Sequence, residues 1–408
     1  MRHRTLTAPG ASAAAVAPRA RRALIALSIT VTTSYGVLFY AFPVLAPAIS
    51  ADTGWPLAHL TAAFSASQVV AGLGGAVVGR WLERSGPRVV MTCAAVVAVP
   101  AIAGIAWAPE LWAFFAAWLV AGVAMAGLFY PPAFAALTRW YGPRRTRALT
   151  VLTLAAGSAS TIFAPLAAAV EQALGWRGAY LALAALLGVL VIPLHALVLT
   201  PPWHRTTGTD RPSSGSNTVG PVIASPAFLA LTAALTLGAF GVYAVVVNLV
   251  PLLDTRGWDA TTAAWALGIG GIGQVLGRLV YAPLERRAGP QTRSVLVLTA
   301  CAATTALLAA VGAPVALVMV IALLAGMARG IFTLLQATAV SDRWGIERYA
   351  TLNGVLHTPL MLAVALAPWA GSAMAGPLGG YPALFAVLAV VGAIAAVTVA
   401  FTRPERAA

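Results

Sequence analysis

The stretch GRWLERSGPR, residues 79–88, joins two long apolar runs and carries one acidic residue, three arginines and two glycines. The stretch PLERRAGP, residues 283–290, repeats its glutamate and its Gly-Pro ending about 203 residues further along the chain. Arginines between apolar runs hold a loop on one face of a membrane, and glycines permit tight turns. The two copies therefore predict a membrane protein made of two related halves.

Other segments repeat at the same offset. Parallel repeats of this kind form two pseudo-symmetric bundles with a binding site at their interface, near the membrane midplane. The repeats thus predict the architecture of a transporter. The repeated pairs are ADTGWP (51–56) with DTRGWD (254–259), AGVAMAG (121–127) with AGMARG (325–330), and Arg139-Trp140 with Arg343-Trp344.

The composition excludes a soluble domain. Hydrophobic residues make up 60% of the 408 and charged residues only 9%, whereas soluble domains carry about 25% charged residues. The expected surroundings are therefore the lipid bilayer. The net charge of +14 comes from arginines dispersed in short loops, so we expect no nucleic-acid partner. Cys93 and Cys301 fall in apolar runs, and we expect no disulfide framework, no metal site and no cofactor.

Twelve apolar runs are long enough to cross a bilayer, which takes about 20 residues each. The expected fold is an all-α membrane protein with twelve transmembrane helices in two pseudo-symmetric six-helix bundles. The bundles are residues 23–199 and 226–401, with a polar linker at 200–225 and tails at 1–22 and 402–408. The runs are 23–46, 57–82, 89–107, 111–138, 148–174, 178–199, 226–253, 260–284, 294–312, 314–341, 350–376 and 381–401.

The arginines predict the orientation, because loops on the cytoplasmic side carry the excess of basic residues. Of the 25 arginines, 21 lie in the tails, the linker and the loops on the same side as the amino terminus. Arg177 and Arg256 lie on the other side, and Arg278 and Arg329 lie inside runs. We expect a multi-pass monomer of the cytoplasmic (inner) membrane with both termini in the cytoplasm.

Residues 79–88, here called the signature loop, resemble the loop motif G-x-x-x-D-R-x-G-R-R of the major facilitator superfamily. Glu83 stands in the aspartate position. Gly79 and Gly86 would allow close approach and a turn, while Arg84 and Arg88 would anchor the cytoplasmic face. The resemblance implies a loop that switches with the transport cycle. The other interpretation is a basic loop without any switching role.

Within that superfamily the chain most resembles the monocarboxylate transporter family, including its bacterial branch. The residues that carry the resemblance are FYAFPVLAPAIS (39–50), the block from Gly127 to Leu181 and Gln274-x-x-x-Arg278. The segment Gln274-x-x-x-Arg278 matches a family D/N-x-x-x-R arrangement, and the resemblance implies that Arg278 binds the substrate carboxylate. Where animal members have a lysine and an aspartate implicated in proton coupling, this chain has Val44 and Gln274.

Arg278 lies inside the eighth run without a carboxylate at the same depth, because all eleven acidic residues fall at run ends, in loops, in the linker or in the tails. A guanidinium at helix centre costs about 2.5–3.5 kcal/mol on insertion scales. A carboxylate substrate would neutralise it in bidentate fashion. The alternative is that Arg278 extends toward the cytoplasm, because Glu285 is only about 10 Å of helix away.

Three further groups in the runs have two interpretations each. Arg329 is either a second anion contact, favouring a dicarboxylate or a larger acid, or a structural arginine bonding carbonyls of the eleventh helix. Gln274 either orients Arg278, one turn away, or offers its amide to the substrate, and it cannot carry a proton. His357 is either a group that couples protons or contacts the anion, or a neutral histidine bonded to a backbone carbonyl. His195 is interpreted as structural.

Aromatic and amide side chains on the expected cavity helices could line an amphipathic pocket, although each is as readily explained by packing. Those assigned to substrate binding, with Arg278, Gln274 and Arg329, are Phe39, Tyr40, Tyr130, Tyr243 and Asn248. Further candidates are Tyr35, Phe129 and Asn353.

The sequence thus predicts a secondary active transporter of small organic anions, monocarboxylates such as lactate or pyruvate, that works by alternating access. Proton symport and anion exchange both stay open. The alternative is an exporter of a drug or an acidic secondary metabolite on the same fold. An enzyme is not expected, because no Ser-His-Asp set, metal cluster or phosphate loop falls at membrane depth.

Overall fold

The computed structural model describes residues 9–142, 145–203, 220–344 and 349–402, and every regular element among them is helical. The elements are α1 (Pro9–Tyr35), a π-helical turn (Gly36–Tyr40), α2 (Ala41–Thr53), α3 (Leu57–Ala106), α4 (Leu111–Leu128), α5 (Tyr130–Tyr141), α6 (Arg145–Gly157), α7 (Ala159–Val198), α8 (Gly220–Ile223), α9 (Pro226–Asp254), α10 (Ala260–Arg287), α11 (Pro290–Ala310), α12 (Val315–Thr338), α13 (Ser341–Trp344), α14 (Tyr349–Ala375) and α15 (Tyr381–Ala400).

The described helices make twelve membrane crossings, as the sequence predicts. Eleven stretches are long and apolar enough to cross a bilayer, and one of them, Arg147–Val198, has 52 residues. At about 1.5 Å per residue it is more than twice as long as the roughly 30 Å hydrocarbon core. It is interrupted at Gly175, whose φ is 68° and ψ 171°, and therefore crosses twice. The first and last helices consequently meet the same face, here called the terminal face; the other is the opposite face.

Three expectations about the ends of segments differ from the structure or fall outside it. α1 begins at Pro9, inside the predicted tail of residues 1–22. α3 runs through the second and third predicted crossings and is interrupted only at Gly86, where φ is 77°. The predicted linker contains the short helix α8, while its residues 204–219 lie outside the described residues, as does most of the tail at 402–408.

Prolines place local irregularities in the first and fourth crossings. Pro43 has no backbone N–H to offer Phe39 O one turn earlier, and there the helix widens into the π-helical turn, where Ala41 N–H bonds Gly36 O. Pro131 and Pro132 likewise remove two donors, and Phe129 adopts an extended conformation between α4 and α5. Both irregularities carry aromatic residues, Phe39 and Tyr40 in the first and Phe129 in the second.

Glycines bring α10 and α12 into close contact, here called the glycine seam. A Cβ added at Gly273 would overlap Leu323 O, and one added at Gly326 would overlap Gly270 O. Added Cβ atoms at Gly277 and Gly330 would likewise overlap carbonyl oxygens of the facing helix. Small residues permit such backbone approach between membrane helices, so the two helices form one tightly packed pair.

The helices before and after the linker meet along two lines, α7 against α10 and α3 against α14. Thr161 Oγ1 donates to Gly268 O at 2.9 Å across the first line. Across the second, Trp369 N donates to Ser65 Oγ at 3.1 Å. Toward the opposite face, α2 also packs on α9. Two long contacts between the halves therefore surround the residues that lie at their interface.

The signature loop is held at the terminal face by Trp203, which follows shortly after the end of α7 at Val198. Trp203 Nε1 donates to Glu83 O at 3.2 Å, and a Cβ at Gly86 would lie 3.1 Å from the Trp203 ring. The guanidinium of Arg139 lies 4.3 Å from the centre of that ring. Arg88 Nε donates to Ala196 O at 2.6 Å. The close approach predicted at Gly79 is absent, because a Cβ there would have no neighbour within 4 Å.

His195 has the structural role expected of it. Its side chain is fully buried, with Nδ1 3.2 Å from Met91 O and Nε2 2.9 Å from Thr30 Oγ1. The carbonyl requires a donor at Nδ1, so Nε2 accepts from the threonine hydroxyl in a neutral imidazole. This histidine ties α1, α3 and α7 together.

Candidate functional site

Five side chains from four parts of the chain meet between the two halves and are here called the aromatic–arginine cluster: Tyr35, Tyr40, Tyr130, Tyr243 and Arg278. The Tyr130 side chain lies close to the Arg278 guanidinium and to the side chains of Tyr40 and Tyr243. Tyr243 is also within electrostatic range of Arg278 and Arg329. Tyr35 is within electrostatic range of the three other tyrosines. The structure thus brings four of the residues assigned to substrate binding into one place.

Ring contacts connect the cluster across the interface. Tyr35 stacks on Phe129 with ring centres 4.0 Å apart and lies 4.9 Å from the Tyr130 ring. Phe39, from the amino-terminal half, meets Tyr243, from the carboxy-terminal half, edge to face at 6.4 Å. The irregular backbone at the π-helical turn and at Phe129 positions these rings. The cluster therefore presents apolar ring faces and phenolic hydroxyls beside one guanidinium.

Arg278 connects the two halves directly. It is half-buried, and its Nη1 donates to Thr153 O on α6. A Cβ added at Gly157 would lie 2.9 Å from the same Nη1, so this glycine leaves room for the guanidinium. Among the residues that the structure describes, no carboxylate lies within 4 Å of Arg278. Glu285 instead lies 3.9 Å from Arg293, and the hydrogen bond that the structure gives the Arg278 side chain goes to the Thr153 carbonyl.

Arg329 and Gln274 pair with each other. Arg329 is only 8% exposed, and its Nη2 donates to Gln274 Oε1 at 3.2 Å. Gln274 therefore does not orient Arg278, as one interpretation had it, although the two residues are one turn apart. The hydrogen bond that the structure gives the Arg329 guanidinium goes to α10, and not to carbonyls of the eleventh crossing, α14. The glycine seam explains the pairing, because it brings α12 close enough for Arg329 to reach Gln274.

Asn248 lies apart from the cluster. It is fully buried between α9 and α14, where its Oδ1 accepts from Ser372 Oγ at 2.7 Å and its Nδ2 donates to Ala244 O at 2.9 Å. A Cβ added at Gly371 would lie 2.5 Å from Nδ2, so the glycine provides the space for the amide. These contacts hold helices together, and the structure does not place Asn248 with the other residues assigned to substrate binding.

Replacing Asn248 with alanine is expected to lower stability without changing substrate affinity. The change leaves the buried Ser372 hydroxyl without its acceptor, which costs about 1–3 kcal/mol. Thermal unfolding of the purified protein measures the loss, and KM for transport checks the affinity. Tyr243→Phe is the matched variant, expected to unfold like the wild type but to transport with altered KM. A raised KM in Asn248→Ala at normal stability would contradict this interpretation.

His357 is half-buried on α14, with Nδ1 2.9 Å from Asn353 O one turn earlier. This is the geometry of a histidine bonded to a backbone carbonyl, one of its two interpretations. The bond occupies one ring nitrogen as a donor and leaves Nε2 as an acceptor when the ring is neutral.

Sequence reasoning missed the contribution of α6 to the site. The Thr153 group that meets Arg278 is a backbone carbonyl, which any residue carries, so its side chain gives no signal. Gly157 was detectable only as one of several small residues in the segment AAGSAS.

Twelve crossings in two repeated halves, with arginines and tyrosines where the halves meet, define the class of polytopic membrane transporters. The chain belongs to the Major Facilitator Superfamily, whose family model matches residues 27–358. The protein named monocarboxylate transporter 13 of Rattus norvegicus is 26% identical over 367 residues, which cover 87% of this chain and 79% of the relative.

Solved transporter structures share the fold. A bacterial homologue of the human lysosomal transporter Spinster, in an inward-facing and unoccupied conformation, has a TM-score of 0.72 and 16% identity, covering 94% of this chain and 95% of its own. A mutant of the nucleoside transporter NupG has a TM-score of 0.73 and 13% identity, covering 93% of this chain and 98% of its own. At these identities the likeness concerns the fold alone, and it agrees with the predicted two-bundle architecture.

Proposed function

We propose that this protein is a secondary active transporter of small organic anions, of which monocarboxylates such as lactate or pyruvate are the best candidates. The observation that carries the proposal is Arg278: a membrane-embedded guanidinium at the contact of the two halves, without a described carboxylate within 4 Å. The name of the rat relative, a monocarboxylate transporter, supports the same substrate class.

The cluster has the chemistry to hold a carboxylate with an apolar body. Arg278 would bind the two carboxylate oxygens in bidentate fashion, and the Tyr130 hydroxyl, which lies close to Arg278, would donate a further bond. The faces of Phe39 and Tyr243 would pack on the carbon skeleton. A few placed polar groups within apolar walls are typical of small-molecule sites.

Arg278 also offers a link between binding and alternating access. Its bond to Thr153 O joins the carboxy-terminal half to the amino-terminal half. A bound carboxylate would compete with this neutral carbonyl for the guanidinium and, being charged, would bind it more strongly. Substrate binding would thereby weaken one contact between the halves and allow them to rock. The signature loop, held by Trp203, would change its contacts in the same motion.

The proposal includes an orientation in the membrane. The terminal face carries the arginine-rich loops and would be cytoplasmic, in the inner membrane, with the chain acting as a monomer in the lipid bilayer. The runner-up is export of a drug or acidic secondary metabolite. Export is favoured by the adjacent aromatic rings of four residues, because such rings can pack against a substrate with a larger apolar part. These residues are Tyr35, Phe39, Phe129 and Tyr130.

Uptake into liposomes tests the proposed function. Purified protein is reconstituted, and uptake of labelled lactate, pyruvate, acetate and oxalate is followed with and without an inward proton gradient. We expect saturable uptake of at least one of the monocarboxylates and none in protein-free liposomes. If folded, monodisperse protein takes up none of the four, the proposal is wrong, and larger acidic metabolites loaded inside the vesicles become the next test.

His357 is the proposed coupling residue. Of the described histidines, His59 is exposed near an end of its crossing and both ring nitrogens of His195 are hydrogen-bonded. Among the histidines that the structure describes, only His357 combines membrane depth with a ring nitrogen that has no described hydrogen-bond partner. His357→Gln is expected to remove stimulation of uptake by an inward proton gradient while leaving exchange of labelled for unlabelled anion intact. Equal stimulation in wild type and variant would show that His357 does not couple protons.

A further inference from the structure

A second, smaller polar site lies inside the carboxy-terminal half, separate from the aromatic–arginine cluster. It is a cavity of about 40 Å³ between α9, α10, α11 and α12. Its polar lining consists of Arg329, Thr304, Thr305 and Cys301, and no residue of the cluster lines it. A water needs about 10–15 Å³ by this measure, so the cavity holds about three water-sized occupants or one larger monatomic ion with a water.

The charge of Arg329 is not compensated by the protein. The residue is 8% exposed, and among the described residues no carboxylate lies within 4 Å of it. Nη2 bonds a neutral amide oxygen at Gln274, and the buried Nε has no hydrogen-bond partner. Water in the cavity would leave the positive charge of Arg329 unpaired in a low-dielectric interior. An anion in the cavity would neutralise that charge.

The rest of the lining suits a small singly charged ion. The Thr304 and Thr305 hydroxyls donate to Ala300 O and Cys301 O, each at 2.8 Å. Each hydroxyl carries one hydrogen, and by giving up its bond to the helix carbonyl it can rotate that hydrogen toward an occupant of the cavity. The remaining walls are aliphatic or glycine, as at Leu267 and Gly270. The single positive charge of Arg329 balances a monovalent anion, and the two hydroxyls with apolar walls suit a weakly hydrated monatomic ion. A multiply charged oxyanion would need more positive charge and more donors than this lining provides.

We propose that this cavity binds a halide ion, chloride under cellular conditions, held by Arg329 with Thr304 and Thr305. The glycine seam keeps α10 and α12 fixed around Arg329, so the ion is a resident of the carboxy-terminal half that stabilises it. The site is independent of the substrate proposed for Arg278 and is expected whatever acid the protein carries.

Chlorine-35 NMR of the purified full-length protein tests the site, since chloride exchanging with a bound site broadens the resonance of free chloride. We expect broadening that saturates with chloride and is displaced by bromide. In Arg329→Gln this saturable part should fall to the level of protein-free detergent, while Arg278→Gln, the matched loss of the other membrane arginine, should retain it. Saturable broadening that persists in Arg329→Gln, or none in the wild type, would overturn the proposal in favour of water.

A second variant keeps the test decisive if Arg329→Gln does not fold. Ala325 lines the cavity, and Ala325→Leu fills it while keeping Arg329. We expect the wild type to unfold at a higher temperature in sodium chloride than in sodium gluconate of equal ionic strength. Ala325→Leu should unfold at the same temperature in both salts. A wild-type protein indifferent to the anion, or a variant that still responds to it, would contradict a halide in this cavity.

Discussion

Replacing Arg278 with glutamine is expected to abolish transport of the organic acid. Glutamine removes the positive charge and the bidentate donor pair while keeping part of the side chain's length. The loss of a partly buried charge pair is worth about 3–5 kcal/mol, or about 150- to 4,000-fold in affinity. Uptake of the labelled acid into liposomes, at concentrations spanning the wild-type KM, measures the effect.

Two companion variants separate substrate binding from a general loss of structure. Arg278→Lys retains the charge but not the planar donor pair, and we expect an intermediate loss of about tenfold. Arg286→Gln removes an exposed arginine two turns further along α10 and should transport like the wild type. Transport by Arg278→Gln at near-normal rates would remove the main support for a carboxylate substrate. Arg278→Gln should also unfold at close to the wild-type temperature, because the lost bond goes to a neutral carbonyl.

Enlarging Gly273 is expected to destabilise the protein strongly. A Cβ at this position would overlap Leu323 O, and the obstacle is backbone that cannot rotate away. Overpacking of this kind costs about 1–3 kcal/mol for alanine, and we expect no folded protein for leucine. The unfolding temperature of the detergent-solubilised protein and its elution on gel filtration measure the two effects.

Gly72→Ala is the matched control for the glycine seam. Gly72 is also helical, but a Cβ there has no neighbour within 4 Å, so alanine should stabilise its helix by about 0.5–1 kcal/mol. The two substitutions are chemically identical and are expected to shift stability in opposite directions. Equal effects at Gly72 and Gly273 would mean that α10 and α12 do not pack as closely as described.

Much of the architecture follows from one-dimensional patterns. Apolar run length gives the twelve crossings because a bilayer requires it of any spanning helix. The proline pair after Tyr130 signals an irregular backbone, but only the structure shows that Phe129 becomes extended and turns its ring onto Tyr35. The turn expected at Gly86 is present between the second and third crossings, where φ is 77°, but the helical conformation of the residues on both sides of it was not detectable from the sequence.

Site residues could be predicted where the side chain is unusual in a membrane helix, and could not be predicted where the group is a common one. An arginine inside an apolar run is conspicuous, so Arg278 and Arg329 could both be selected from the sequence. Their partners could not be, because helix spacing puts Gln274 near Arg278 whereas its hydrogen bond is decided by the approach of α12. Asn248 and Tyr243 were equivalent candidates in the sequence, because both are polar side chains on the same helix. In the structure Tyr243 faces the cluster and Asn248 does not. Which face of α9 meets α14 is a property of three-dimensional packing.

The contacts of the two membrane arginines are expected to behave differently when the two halves move relative to each other. The Gln274–Arg329 pair lies entirely within the carboxy-terminal half and is fixed by the glycine seam, whereas the bond from Arg278 to Thr153 O spans both halves. Spin labels across α10 and α12 would thus supply an invariant internal length standard. Labels flanking Thr153 on α6 and Arg278 on α10 would supply the variable distance. The molecule therefore contains a constant distance, between α10 and α12, against which the changing distance between α6 and α10 can be measured during the conformational cycle.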